Sequence, residues 1–304
     1  MNKKPPAILP QSEFRTERKQ ALGVAGGLLL LASWCGGRAE LPPDKSHYHL
    51  FNPTPRGQMR ELSTDRPDQT ESPYTVDAGH FQIEMDLANG MLDHDRADAG
   101  DVRSQAWSFG GVNLKVGLLN NVDLQFVLDG YVATRTKDRL TGVSSDASGF
   151  GDVQTRLKIN VWGNDGRATA FAIMPFVKWP LSQSNLRNGK TEGGLILPLA
   201  VELPQGWGMG VMTEFDFVRD GGGGYDTEYL NTITLGHDIA GNLVGYVEFA
   251  AVFTPESNAE WQGQLGVGLT YGVNADVQLD LGCNFGVTRS APDYNPFVGV
   301  TLRY

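Results

Sequence analysis

The residues best suited to metal or nucleophilic chemistry are five histidines, His47, His49, His80, His94 and His237, and two cysteines, Cys35 and Cys283. No histidine pair has the helical spacing that aims two imidazoles at one zinc ion. His47 and His49 could share a metal in an extended segment, but their proline-rich, polar surroundings read better as a solvated linker. There is no Gly-x-Ser-x-Gly elbow to expose a serine nucleophile. A Ser-His pair on the outer face of a membrane barrel, as in an outer-membrane lipid hydrolase, would have to join His237 to Ser182 or Ser184, and the spacing fixes no such pair. The run Gly221–Gly224 lies between strand patterns, so it reads as a flexible loop and not as a phosphate cradle. The sequence therefore points to no enzyme, no cofactor and no resident metal.

Charge is organised elsewhere, in register with apolar side chains. His80, Gln82, Glu84 and Asp86 interleave with Phe81, Ile83, Met85 and Leu87. The same period of two continues with Lys115, Asp123, Asp152, Arg156 and Lys158. Farther on, the even-numbered Glu202, Glu214, Asp216, Glu248, Asp276 and Asp280 face away from odd-numbered Leu195, Leu197, Leu199, Val211, Phe215, Val247, Leu265 and Val267. Alternation of this kind places the two sets on opposite faces of a strand. Such a strand is half-buried in a soluble sheet or stands between lipid and a wet lumen.

The elements that would carry these residues are all strands. Twelve are expected: Gly79–Ala88, those around Trp107, Val122 and Gly151, then Ala168–Trp179, Gly193–Leu203, Trp207–Val218, Thr227–His237, Leu243–Phe253, Glu260–Tyr271, Ala275–Phe285 and Asn295–Tyr304. Trp107 and Phe109 are out of phase with Val112 and Leu114, and Gly110-Gly111 between them marks a bulge. Tight connections alternate with longer polar ones, including 134–148, 219–226 and 254–258. Strands of about ten residues with this loop alternation are the signature of a transmembrane antiparallel up-and-down β-barrel. A soluble sandwich would explain the alternation but not the even strand lengths, the aromatic strand ends Trp179, Trp207, Trp261 and Tyr271, or the final strand closing on Tyr304. That closing aromatic resembles the signal through which outer-membrane proteins engage the barrel-assembly machinery.

Composition agrees with an exported all-β chain. Glycine contributes 38 of 304 residues, which disfavours long helices. The net charge of −10 divides between a basic leader, with Lys3, Lys4, Arg15, Arg18, Lys19 and Arg38 against Glu13 and Glu17, and an acidic remainder. That remainder has no basic stripe, which argues against nucleic acid. Residues 1–39 read as a signal peptide, with an apolar run Ala21–Cys35 and small residues at Gly37 and Ala39 before the expected cleavage. Residues 40–62 read as a flexible extension, 63–78 as a charged motif, and 79–304 as the barrel. Outer-membrane lipid and small-molecule solutes are the expected partners.

The charged motif "STDRPDQTESPYTVDAGHFQIE" carries a resemblance. Ser63 to Asp68, Thr70 to Pro73, Thr75-Val76 and Gly79 to Glu84, together with "SGFGDVQTRLK" at Ser148 to Lys158, resemble the family described as "Putative MetA-pathway of phenol degradation". The likeness spans Leu62 to Tyr304 and implies a barrel in the bacterial outer membrane that admits small, aromatic or hydrophobic molecules. Independently of it, Ser63, Asp65, Asp68, Thr70 and Ser72 of the motif, which also holds Thr64, are capping and turn formers, Pro67 and Pro73 fix the backbone, and Arg66 is a forked carboxylate donor. The segment, Glu71 included, is expected at the periplasmic mouth or in the lumen, with Arg66 on Glu84 or Asp86. A solvated leader to the first strand is the alternative. Eleven inward acids against five bases imply a mild cation preference for any open pore; a filled lumen would instead make a non-conducting structural barrel.

Overall fold

The computed structural model describes residues 44–96, 100–182, 186, 189–220, 223–254 and 260–304; the expected leader and Ser184 lie outside them. Its strands are β1 (Phe81–Asp95), β2 (Val102–Phe109), β3 (Gly111–Leu119), β4 (Val122–Leu128), β5 (Tyr131–Asp138), β6 (Ser144–Phe150), β7 (Val153–Trp162), β8 (Thr169–Trp179), β9 (Glu192–Glu202), β10 (Trp207–Arg219), β11 (Tyr225–Ala240), β12 (Leu243–Phe253), β13 (Gln262–Asn274), β14 (Val277–Gly286) and β15 (Tyr294–Arg303). β2 with β3, β4 with β5, and β6 with β7 are each one crossing interrupted near its middle, so the described chain makes twelve crossings. At the first interruption Gly110 has φ +69°, the left-handed region that a bulge of this kind demands.

Each strand pairs antiparallel with its neighbours, and β15 pairs with β1 through Gln82↔Arg303 and Met85↔Val300, which closes the barrel. Closure is completed at the chain end, where Phe81 and Tyr304 exchange backbone hydrogen bonds of 3.2 and 2.8 Å. One end of the barrel carries tight turns such as Asn120-Asn121 and Gly241-Asn242, while the opposite end carries the longer connections. Short turns mark the periplasmic side.

The distribution of side chains is inverted relative to a soluble protein. Leu281 is 54% exposed and Leu265 44%, whereas Lys115, Lys158, Gln82, Glu84 and Glu248 are fully buried inside. Apolar side chains facing outward around a closed wall require lipid, and a closed barrel leaves no unpaired backbone in it. The molecule is an outer-membrane β-barrel.

Two features depart from the sequence-based expectation. Residues 134–148, expected as a loop, form most of the hairpin of β5 and β6, paired from Tyr131↔Phe150 to Lys137↔Ser144. Its outer face carries Arg135 and Lys137 and its inner face Thr134 and Thr136, so both sides are polar and no apolar alternation betrays the strand. The second departure is apolar: Met174, Ile196 and Met212 stand on the lumen-facing parity and pack with Phe176 and Leu230 into a small internal cluster.

Candidate functional site

The lumen is occupied by the chain's own residues 62–78, which contain no strand or helix. Without ladder bonds, this segment must find partners for its backbone and charges on the wall. Asp65 makes the first anchor. It pairs with Lys115 on β3 and, at 2.5 Å, with Lys158 on β7. It also accepts from Ser72 N at 3.0 Å. Its own N–H donates to Glu84 on β1 at 3.1 Å, and Glu84 also pairs with Lys115. Burial alone would raise the Asp65 carboxyl, but the two lysines outweigh it and hold it below the usual carboxylate range.

Arg66 makes the second anchor, and the register shows why it fits. Asp86 on β1, Gly299 on β15 and Asp280 on β14 are directly opposite one another in the ladder. A Cβ at position 299 would overlap the guanidinium, so glycine leaves a slot between two carboxylates. Into it Arg66 donates from Nη1 to Asp86 at 2.5 Å and from Nη2 and Nε to Asp280 at 2.7 and 3.2 Å. A planar fork suits this acid–glycine–acid row better than an ammonium would.

The remaining anchors complete the circuit. Gln69 N and Thr70 N both donate to Glu248 on β12 at 2.9 Å. Arg156 on β7 donates to Glu71 at 2.5 Å, and Glu71 N rests on the sulfur of Met212 at 3.3 Å. Val76 N donates to Asp123 on β4 at 3.0 Å, and Asn160 to Pro73 O at 2.9 Å. Ser63 meets Ser72 at 2.7 Å, and Gln278 donates to Thr64 at 3.2 Å. Burial, then the neighbouring Asp65, pushes Glu71 up to about 7. Burial, then Glu248, pushes Asp68 up to about 8.

Not every lumen candidate touches this segment. Glu214 and Asp216 stand on β10 within reach of the charge of Arg156, Asp152 accepts from Ser182 N at 2.9 Å, and Glu202 is exposed at the periplasmic end of β9. Asp276 lies in a periplasmic turn between Arg56 and Arg303, at 2.8 and 2.9 Å. His80 bridges Thr54 O and Tyr304 O, and His237 meets Gln205 O and Asp238 O near the periplasmic turns. Ser182 follows β8 at the other end, so it does not meet His237. His47 lies on the exposed stretch before His49, which bridges Leu119.

Residues 40–62 read from the sequence as a flexible extension; of these, 44–62 are described, and they cross the periplasmic mouth as a strap, bonded through Leu50 N to Leu118 O and Thr54 N to Ala78 O. Lys45 and Arg60 converge on Asp165 at 2.8 and 3.0 Å, and Arg303 donates to Arg60 O at 2.8 Å. The sequence signal was only three scattered cations, Lys45, Arg56 and Arg60, in a proline-rich stretch, too sparse to reveal that their partners lie more than a hundred residues away. Two cavities flank the internal segment. The larger, about 450 Å³, runs from Gly206 and His237 near the periplasmic turns up to Arg66 and Glu71. The smaller, about 200 Å³, lies between those same two residues and Asp129 toward the extracellular side.

Comparison with known proteins agrees with this architecture. The family model described as "Putative MetA-pathway of phenol degradation" matches residues 64–304. The fold is similar to that of the COG4313 outer membrane channel from Pseudomonas putida F1, with TM-score 0.55 and 10% identity over 80% of this chain and 100% of that one. The translocator domain of the autotransporter NalP from Neisseria meningitidis aligns with TM-score 0.49 and 8% identity, over 74% of this chain and 88% of that one. No curated protein matches the sequence.

Proposed function

The chain belongs to the family described as "Putative MetA-pathway of phenol degradation", and from that premise we propose that it is an outer-membrane channel for passive uptake of small, aromatic or hydrophobic molecules, throttled by its own residues 63–78. The observation that carries this reading is the pair of cavities, about 450 and 200 Å³, that meet at Arg66 and Glu71. The strand wall leaves a lumen wide enough to need a separate segment to fill it, unlike eight-stranded barrels whose own side chains suffice. A path that a movable segment interrupts, flanked by space for a single-ring solute, suits gated diffusion. Leu62, Pro73 and Tyr74 of the internal segment and Val244 of β12 line the larger cavity and give it an apolar side. The fold relative from Pseudomonas putida F1 is named an outer membrane channel, which supports the same reading for this chain.

Within this reading the lumen carboxylates Asp86, Asp280, Glu248, Glu214 and Asp216 favour cations once the segment withdraws. β15, followed directly by Tyr304, presents the strand that the assembly machinery would engage. Liposome swelling with the folded chain tests the proposal: faster entry of small aromatic solutes than of disaccharides is expected, and equal exclusion of both would overturn it. The second reading, a non-conducting structural barrel, draws on the internal segment's many buried anchors. It is favoured if swelling is absent both for the native chain and after Arg66→Ala.

A further inference from the structure

The outer face of the sheet formed by the extracellular ends of β1, β2, β5 and β6 carries an arrangement that channel function does not explain. Reading along the register, Phe109, Tyr131 and Phe150 stand in one row. Next above come Gly90, Trp107, Ala133 and Ser148, then Leu92, Gln105, Arg135 and Asp146, and at the top His94, Arg103, Lys137 and Ser144. An aromatic belt is thus followed, four to six residues farther along the strands, by a cluster of cations. At about 3.3 Å per residue the separation is roughly 13–20 Å along tilted strands, the step from hydrocarbon edge into the headgroups.

The acids nearby are already engaged. Arg135 is held by Asp146 at 2.7 Å, and Asp101 is shared by His94 at 2.7 Å and Arg139 at 3.4 Å, with the charge of Arg103 also reaching it. Asp138 caps its own hairpin tip, accepting from Leu140 N and Thr141 N at 2.9 and 3.2 Å. Arg103 and Lys137 face each other directly across the β2–β5 ladder, both exposed, and among the described residues neither has an ion-pair partner. Like charges directly opposite are destabilising on a strand pair. An anion bound between them would remove that cost.

We propose that this face is a binding site for the phosphorylated glucosamine headgroup of the outer leaflet's lipopolysaccharide. Arg103 and Lys137 clasp a phosphate, and Arg135 with Gln105 meets the sugar. The sugar sits in the upper part of a shallow depression of about 490 Å³, lined by Gln105, Arg135 and Asp146, and acyl chains lie over its lower part at Trp107 and Ala133. Charge complementarity selects the phosphate, and the aromatic row beneath fixes the height at which a lipid, and not a soluble anion, presents one.

The test uses the full chain folded in detergent, with a heat-modified gel shift as the check on folding. Its thermal midpoint is followed during titration with bis-phosphorylated lipid A, with lipid A stripped of both phosphates, and with phosphatidylglycerol. Phosphorylated lipid A is expected to stabilise the chain in a saturable way, and the Arg103→Gln/Lys137→Gln variant to bind it about tenfold more weakly, as expected for a lost charge-assisted contact. Equal stabilisation by the stripped lipid or by phosphatidylglycerol would overturn the proposal, as would unchanged affinity in the double variant.

Discussion

At the residue scale the occluded lumen turns on Arg66 and the row Asp86–Gly299–Asp280 that receives it. Arg66→Ala leaves Asp280, whose side chain is fully buried, facing Asp86 with no cation between them. Breaking a buried pair from one side costs about 3 kcal/mol. The expected outcome is a more frequently open channel and faster proteolysis within residues 63–78, both measurable on the folded chain. Arg66→Lys should recover little, because an ammonium cannot present the same fork to Asp280 while reaching Asp86. Gly299→Ala acts from the other side, since its methyl group occupies the guanidinium's slot, and the same loosening is expected with Arg66 intact. The sequence made Arg66 conspicuous through its forked donor and proline neighbours. The alternation of β1 offered Glu84 or Asp86 as its partner, and the guanidinium meets Asp86; Asp280 lies 214 residues away and becomes a neighbour only when the barrel closes.

At the scale of elements, residues 62–78 behave as an inserted ligand whose binding depends on proton occupancy. Asp68 and Glu71 carry carboxyls raised to about 8 and about 7 by burial and by the neighbouring Glu248 and Asp65, with Arg156 opposing the rise at Glu71. Raised values mean that the docked state holds its protons more tightly than the undocked one. The contribution is therefore complete below the ordinary carboxylate range, near pH 4, and is lost as pH rises through about 7 to 8. Channel opening should accordingly increase between about pH 6 and pH 8.5, and Asp68→Asn should flatten that dependence; current recordings across the range check both. Asp65 works in the opposite sense, its lowered value making its pairing with Lys115 and Lys158 persist until strong acid. The strands themselves were readable wherever one face met lipid. The parts of β5 and β6 within residues 134–148 escaped notice because both of their faces are polar there, and the Met174–Ile196–Met212 cluster because apolar side chains there stand on both faces of a strand.

At the scale of the whole molecule, the chain joins a lipid-facing barrel to an N-terminal strap across its periplasmic mouth and an internal segment bonded to its inner wall. The barrel was legible because lipid imposes a period of two over long stretches. Closing the lumen required pairings such as Lys45–Asp165, Asp65–Lys158 and Arg66–Asp280, each spanning roughly a hundred residues or more, which no local pattern encodes. The most direct measurement is single-channel conductance in a planar bilayer under a salt gradient, comparing the native chain with one lacking residues 44–78. Small, intermittent, cation-leaning steps for the native chain and larger, sustained steps for the shortened one are the expected result. Silence from both, with each shown by its heat-modified gel shift to be folded and inserted, would contradict the view that this barrel is a channel held shut by its own N-terminal segment.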